Sequence, residues 1–182
     1  MYRRSPMKKS AQTTIHISVA RQRLSLKRGR ATLRSFPIST SKYGVGTEEG
    51  SFKTPPGRFR IAEKIGEGLP TNIAFKARLP VSPSAEMLKG EDLVMSRILW
   101  LDGLEKENAN TYDRYVYIHG TNNEEQIGEP ASHGCIRMRN ADVAELFEAV
   151  PLDTRVTITP PKGGKGASRK PQKSIARRGR PA

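Results

Sequence analysis

Three observations predict a mainly β fold with one well-specified helix after the only cysteine. Apolar residues recur at period two in several short stretches, Gly and Pro punctuate the intervals between them, and a single stretch keeps helical spacing. The chain is 182 residues long, a length that favours one domain with a real core.

The elements follow in order. Ile15, Ile17 and Val19 alternate as a half-buried strand, and Leu24 and Leu26 continue the pattern. Lys27-Arg28-Gly29-Arg30 reads as a hairpin turn in which Gly29 takes a positive φ. Leu33, Phe36 and Ile38 lie on the returning strand, which completes an antiparallel meander. Residues 39–58 are loop and turn, with Pro55-Pro56-Gly57 the firmest turn signal, and Phe59 and Ile61 begin another short strand. Residues 66–93 show no period and read as a long surface excursion, a flap over a site. Ser96–Leu101 is a strand holding the single Trp, and Tyr115–Ile118 is another, rich in aromatic and β-branched residues. Asn140 is the expected N-cap of the helix. Asp142 and Glu145 sit where the dipole favours acid, Val143, Leu146, Phe147 and Val150 share a face, and Pro151 ends it. A last strand spans Arg155–Ile158.

Composition narrows the function classes. Lys and Arg number 32 against 18 Asp and Glu, a formal net charge of +14. With 35% hydrophobic residues, no stretch approaches the ~20 apolar residues of a membrane span. A single Cys excludes an internal disulfide framework and a Cys-rich structural zinc site. The charge is concentrated at the ends. Pro160–Ala182 holds eight basic residues and no acidic one among Gly, Pro and Ser, so residues 160–182 read as a disordered basic tail. Arg3, Arg4, Lys8 and Lys9 mark residues 1–12 as a second basic arm, which leaves 13–159 as the folded domain. Without the tail the charge falls from +14 to +6, so the polyanion argument belongs to the ends. No apolar run follows the basic start, and no secretory signal peptide is read.

The chemistry lies around the thiol. Cys135 stands in Ala131-Ser132-His133-Gly134-Cys135-Ile136-Arg137-Met138, and His119 opens His119-Gly120-Thr121-Asn122, so two of the three histidines flank it. An imidazole within reach takes the thiol proton and returns it to a leaving amine. Gly134 permits a tight turn that aims the Cys135 N–H at a developing oxyanion, and Arg137 supplies a cation suited to a carboxylate. Blander readings stand beside this one. A lone Cys is more often a buried small hydrophobe. His-x-Cys with a distant His shows only three ligands at a spacing unusual for zinc, and no metal is assigned. His16 reads as a structural histidine within its strand.

The block from His119 to Met138 closely resembles the signature of the YkuD-type L,D-transpeptidase catalytic domain family: His119-Gly120, then Ser132-His133-Gly134-Cys135-Ile136-Arg137. The resemblance extends to Ile15–Leu26, to Pro37-Ile38-Ser39-Thr40 and to Thr54-Pro55-Pro56-Gly57, and covers roughly residues 13–159. It implies a β-sandwich of mixed strands and an enzyme that remodels peptidoglycan. Cys135 is then the nucleophile on the diamino-acid–D-Ala bond of a stem tetrapeptide. His119 is the proton donor and acceptor, oriented by the Gly120 carbonyl, and Ser132, His133 and Gly134 shape the oxyanion site. Arg137 is a structural or a substrate-carboxylate contact. No metal or organic cofactor is implied. The acyl acceptor is an amine, giving a 3→3 cross-link or attachment to a protein. An L,D-carboxypeptidase or hydrolase would use the same pair with water. From a different class, a non-enzymatic basic module would bind a polyanion or membrane surface weakly through the tail. No specific nucleic acid is expected, as no helix-turn-helix or RNA-recognition signature is present. The family implies the cell envelope, whereas the lack of a signal peptide leaves the cytoplasm open.

Overall fold

The computed structural model describes residues 12–90 and 92–162; the two basic arms fall almost wholly outside this range. β1 (Thr13–Ser18), β2 (Arg23–Arg28) and β3 (Ala31–Pro37) form the expected meander, with Ile15 opposite Leu26, Ile17 opposite Leu24, and Phe36 opposite Leu24. Gly29 turns the β2–β3 hairpin at φ 59°. Residues 39–56 carry isolated bridges only. β4 (Gly57–Ile65) is longer than Phe59 and Ile61 alone suggest, because a bulge between Ile61 and Glu63 interrupts the alternation.

The excursion over 66–93 is not a free flap. It contains β5 (Ala74–Lys76), β6 (Leu79–Val81) and a short helix, α1 (Ala85–Gly90). β5 pairs with β7 (Val94–Gly103), and Ala74 and Phe75 are buried. Strands of three residues are too short to show a period, and their turn lacks the usual glycine: Ala77 and Arg78 take φ 48° and 67°.

β7 is the pivot of the sheet, pairing with β4, β5 and β8 (Tyr117–Gly120), and β9 (Ile136–Met138) lies parallel to β8. β10 (Arg155–Thr159) runs parallel to β1 and antiparallel to β4. The result is a ten-stranded mixed sheet in which β3-β2-β1-β10-β4-β7-β5-β6 form one continuous path. Its two flanks share a single apolar core, as Ile15, Leu24 and Val156 from one and Ile118, Ile136 and Met138 from the other join one cluster. This is the mainly β architecture that the sequence predicts, with the mixed strands that the family resemblance implies.

Helix α2 (Asn140–Ala149) fills that core with Val143, Leu146 and Phe147. Its start differs from expectation. Arg139, in extended backbone, is the capping position, and Asn140 is the first helical residue. The free Asn140 N–H donates instead to the Glu124 carboxylate at 2.7 Å, so the cap comes from another segment. At the other end Lys64 Nζ donates to the Phe147 and Val150 carbonyls at 2.7 and 2.8 Å, placing a cation where the dipole is negative. Among the described residues, no helix is long and apolar enough to cross a membrane.

Candidate active site

The β8–β9 ladder sorts the site residues onto one face. Ile118, Ile136 and Met138 point into the main core. Alternation therefore sends Tyr117, His119 and Arg137 to the opposite face, where Phe75, Ile98, Trp100 and Tyr117 form a second cluster and Cys135 packs against it. The register pairs His119 with Arg137, and Cys135 immediately precedes β9. The thiol is fixed at the start of β8: Tyr117 N–H donates to Cys135 Sγ, and Sγ–H donates to the Tyr115 carbonyl, both at 3.4 Å. His119 lies within β8 and not after it, as the strand is shifted two residues from the Tyr115–Ile118 expectation. Tyr115, at φ 55°, ends the preceding turn instead.

His119 is buried, and its Nδ1–H donates to the Gly120 carbonyl at 2.5 Å, which leaves Nε2 as the free lone pair. Gly120 is required by packing. A Cβ there would meet Asn140 Oδ1 and come within 2.8 Å of the Met95 carbonyl. Asn140 is itself held, donating to the Thr121 carbonyl at 2.7 Å and to Glu124 at 2.8 Å while Ser96 Oγ donates to it at 2.6 Å. The residue expected to cap a helix thus buttresses the backbone that orients the imidazole.

The Ser132–Cys135 turn is clamped from two sides. Ser132 Oγ donates to the Cys135 carbonyl at 2.6 Å and accepts the Gly134 N–H at 3.3 Å. Thr54 Oγ1 donates to the Gly134 carbonyl at 2.9 Å, and Ser132 N–H donates to the Thr40 carbonyl at 3.0 Å. Conformation, not crowding, selects glycine at 134: φ is +123°, yet the nearest atom to a Cβ would be 3.5 Å away. Thr54 is therefore more than part of a turn.

The remaining residues separate into two environments. Arg137, 3% exposed, is ion-paired with Asp92 and donates to Gln126 at 3.1 Å. Its charge is already met within the fold. His133 is half-exposed at the mouth, 5.7 Å from the Tyr43 ring and 6.1 Å from Phe52, with Nδ1 3.7 Å from Asp92. His16 is exposed on β1, remote from the site. Asp92, Arg114 and Phe52 were not singled out by sequence. Asp92 sits in the aperiodic 66–93 segment, and nothing local marks it. A cavity of about 250 Å³ lined by Phe52, Arg114, Tyr115, His133 and Cys135 leads to the thiol. Among the described residues, no three His, Cys, Asp or Glu side chains gather as metal ligands.

Burial keeps both the His119 imidazole and the Cys135 thiol neutral. Burial lowers the His119 pKa to about 4, with the Gly120 hydrogen bond and Asp92 opposing. Burial raises the Cys135 pKa to about 11, against the lowering effect of the Tyr117 N–H, and Asp92 adds to the rise. At neutral pH the pair is thiol and free imidazole, an arrangement able to move a proton during attack.

Comparison with known proteins gives the same direction. Residues 12–158 match the family model described as the L,D-transpeptidase catalytic domain. The putative L,D-transpeptidase YkuD of Bacillus subtilis is 31% identical over 144 residues, 79% of this chain and 64% of that protein. The putative L,D-transpeptidase YqjB of the same organism is 33% identical over 118 residues, 64% of this chain and 58% of that protein. The match thus spans about three-fifths of the length of these relatives. An L,D-transpeptidase from Mycobacterium smegmatis shares the fold at TM-score 0.55 and 17% identity, over 82% of this chain and 59% of that one. One from Xylanimonas cellulosilytica does so at TM-score 0.54 and 20% identity, over 87% and 65%. On the family match across nearly the whole described region, the chain belongs to the L,D-transpeptidase catalytic domain family.

Proposed function

We propose that this protein is a cysteine acyltransferase of the L,D-transpeptidase type acting on peptidoglycan stem peptides in the cell envelope. The observation that carries the reading is the 2.5 Å Nδ1–H bond from buried His119 to the Gly120 carbonyl, on the same face as the Cys135 thiol. That bond fixes the tautomer whose Nε2 accepts a proton. Cys135 Sγ attacks the carbonyl of the diamino-acid–D-Ala bond as its proton passes to His119. The developing oxyanion is met by the Cys135 N–H, held by the Ser132–Gly134 turn. The C–N bond then breaks, His119 returns the proton to the departing D-Ala amine, and a thioester remains. An incoming amine attacks the thioester, His119 takes its proton, and the Cys135 thiol is regenerated with a new amide. Arg137 is assigned to scaffold duty through Asp92. No cofactor enters the scheme, since the thioester itself stores the acyl group.

The test is mass spectrometry of a disaccharide-tetrapeptide incubated with wild type and with Cys135→Ala. The expected result is released D-Ala and a cross-linked dimer with wild type only. Tripeptide monomer without dimer would replace the transferase reading with the hydrolase. Release by Cys135→Ala above a few per cent of wild type would refute the covalent mechanism.

A further inference from the structure

The domain carries a charged face that total composition hides. β3, β2, β1 and β10 are successive neighbours and contain no Asp or Glu. Alternation sends Ile15, Ile17, Leu24, Leu26, Val156 and Ile158 to the core. It therefore turns His16, Arg23, Lys27 and Arg155 outward, with Thr14, Ser18, Ser25 and Thr157 between them. Register aligns Arg60, Arg155, Thr14 and Lys27 in one cross-strand row and Arg58, Thr157, His16 and Ser25 in the next. Rows two residues apart along a strand are separated by about 6.5–7 Å.

Nearby acids are engaged at the rim. Glu105 pairs with Arg58 at 2.8 Å, and Asp102 and Asp153 pair with Arg60 at 2.9 and 3.0 Å. Among the described residues, no carboxylate pairs with Arg23, Lys27 or Arg155. A depression of about 440 Å³ opens on this face between Arg58 and Arg155, with Thr157 in its wall. The His16 pKa is lowered, first by partial burial and then by the charge of Lys27.

We propose that this face docks a linear, base-free phosphodiester polymer such as a polyol phosphate chain. Guanidinium, ammonium and hydroxyl donors in repeated rows suit successive phosphates on an extended strand. The outward positions carry no Phe, Tyr or Trp on which bases could stack. Leu104 lines that depression and Leu152 a smaller one beside Arg155, but the outward positions of β1, β2 and β10 carry no large apolar side chain to insert into a lipid surface. This surface is independent of the Cys135 site and of the reaction proposed for it.

The test measures binding of poly(glycerol phosphate), a base-free phosphodiester chain, to the full chain at several salt concentrations. One variant carries Arg23→Gln, Lys27→Gln and Arg155→Gln; another replaces the eight basic residues of the tail. The face variant should bind about tenfold more weakly, with a log K against log salt slope shallower by about 2, three contacts at ~0.7 each. Its thermal midpoint should match wild type, because all three side chains leave the core untouched; if it does not, Arg155→Gln alone should weaken binding about twofold to threefold. Wild-type affinity in the face variant, with loss confined to the tail variant, would overturn the proposal. So would tighter binding of poly(dT), of phosphatidylglycerol vesicles or of inorganic polyphosphate than of poly(glycerol phosphate) at equal phosphate concentration.

Discussion

Alkylation of Cys135 by iodoacetamide should follow a pH profile that separates a neutral thiol–imidazole pair from a preformed thiolate–imidazolium pair. Burial holds the thiol pKa up at about 11 and the His119 pKa down at about 4. At pH 7 the thiolate fraction is then about 10⁻⁴, against about 3 × 10⁻² for a free cysteine of pKa ~8.5. Alkylation should therefore run roughly 300-fold slower than that of a free thiol, and rise about tenfold per pH unit to at least pH 10. His119→Ala should leave this rise unchanged, since the wild-type imidazole carries no charge there. If His119 is the proton acceptor as proposed, turnover of a stem peptide should nevertheless fall by about 10²–10⁴ in the same variant. The assay is pseudo-first-order labelling followed by mass spectrometry. A plateau below pH 8, at a rate close to that of free cysteine, would refute the reasoning. It would show that the thiolate is preformed and that Arg137, Arg114 and the Tyr117 N–H outweigh burial.

Three further outcomes follow from particular bonds. Gly120→Ala should lower kcat at least tenfold, since its Cβ collides with Asn140 and the Met95 carbonyl and displaces the group that orients His119; steady-state kinetics alongside a melting curve check this. Ser132→Ala removes both the bond to the Cys135 carbonyl and the acceptor for Gly134 N–H, at a cost of about 1–3 kcal/mol measured by urea unfolding. Acid should destabilise the fold through His119. The unfolded chain takes up its proton near pH 6.5 and the folded chain only near 4, so stability falls as pH drops through that interval, by up to about 3 kcal/mol. Urea midpoints at pH 7 and pH 4 should show the loss, and His119→Gln should reduce it.

What the sequence made legible were the features whose physics is local. The meander follows from alternation at Ile15, Ile17, Leu24 and Leu26, and α2 from the spacing of Val143, Leu146 and Phe147. Cys135 and His119 stood out because a thiol flanked by imidazoles suggests a chemistry before any geometry is known. Features made by distant partners were hidden. Asn140 has the composition of a cap, yet Glu124 performs that task and Asn140 supports Gly120. Thr54 looked like a turn residue until the fold brought it against Gly134, 80 positions on. Asp92 lies in a stretch whose strands are three residues long, so neither period nor punctuation could mark the carboxylate that meets Arg137. The acid-free face was equally invisible, because net charge averages over surfaces that only strand order separates.

The Asp92–Arg137 pair bears on why a carbonyl, and not a carboxylate, orients the imidazole. A carboxylate on Nδ1 would stabilise the imidazolium and pull the buried His119 toward protonation, leaving less free base at neutral pH. The Gly120 carbonyl fixes the same tautomer with only a partial charge, so burial prevails and the ring stays neutral. Arg137 works in the other direction, favouring the thiolate, but Asp92 answers it across a bond within the fold. Burial outweighs both charges, so thiol and imidazole are neutral at pH 7. In the proposed reaction, proton transfer must then accompany attack on the carbonyl, and the neutral thiol is otherwise kept in its less oxidisable protonated form.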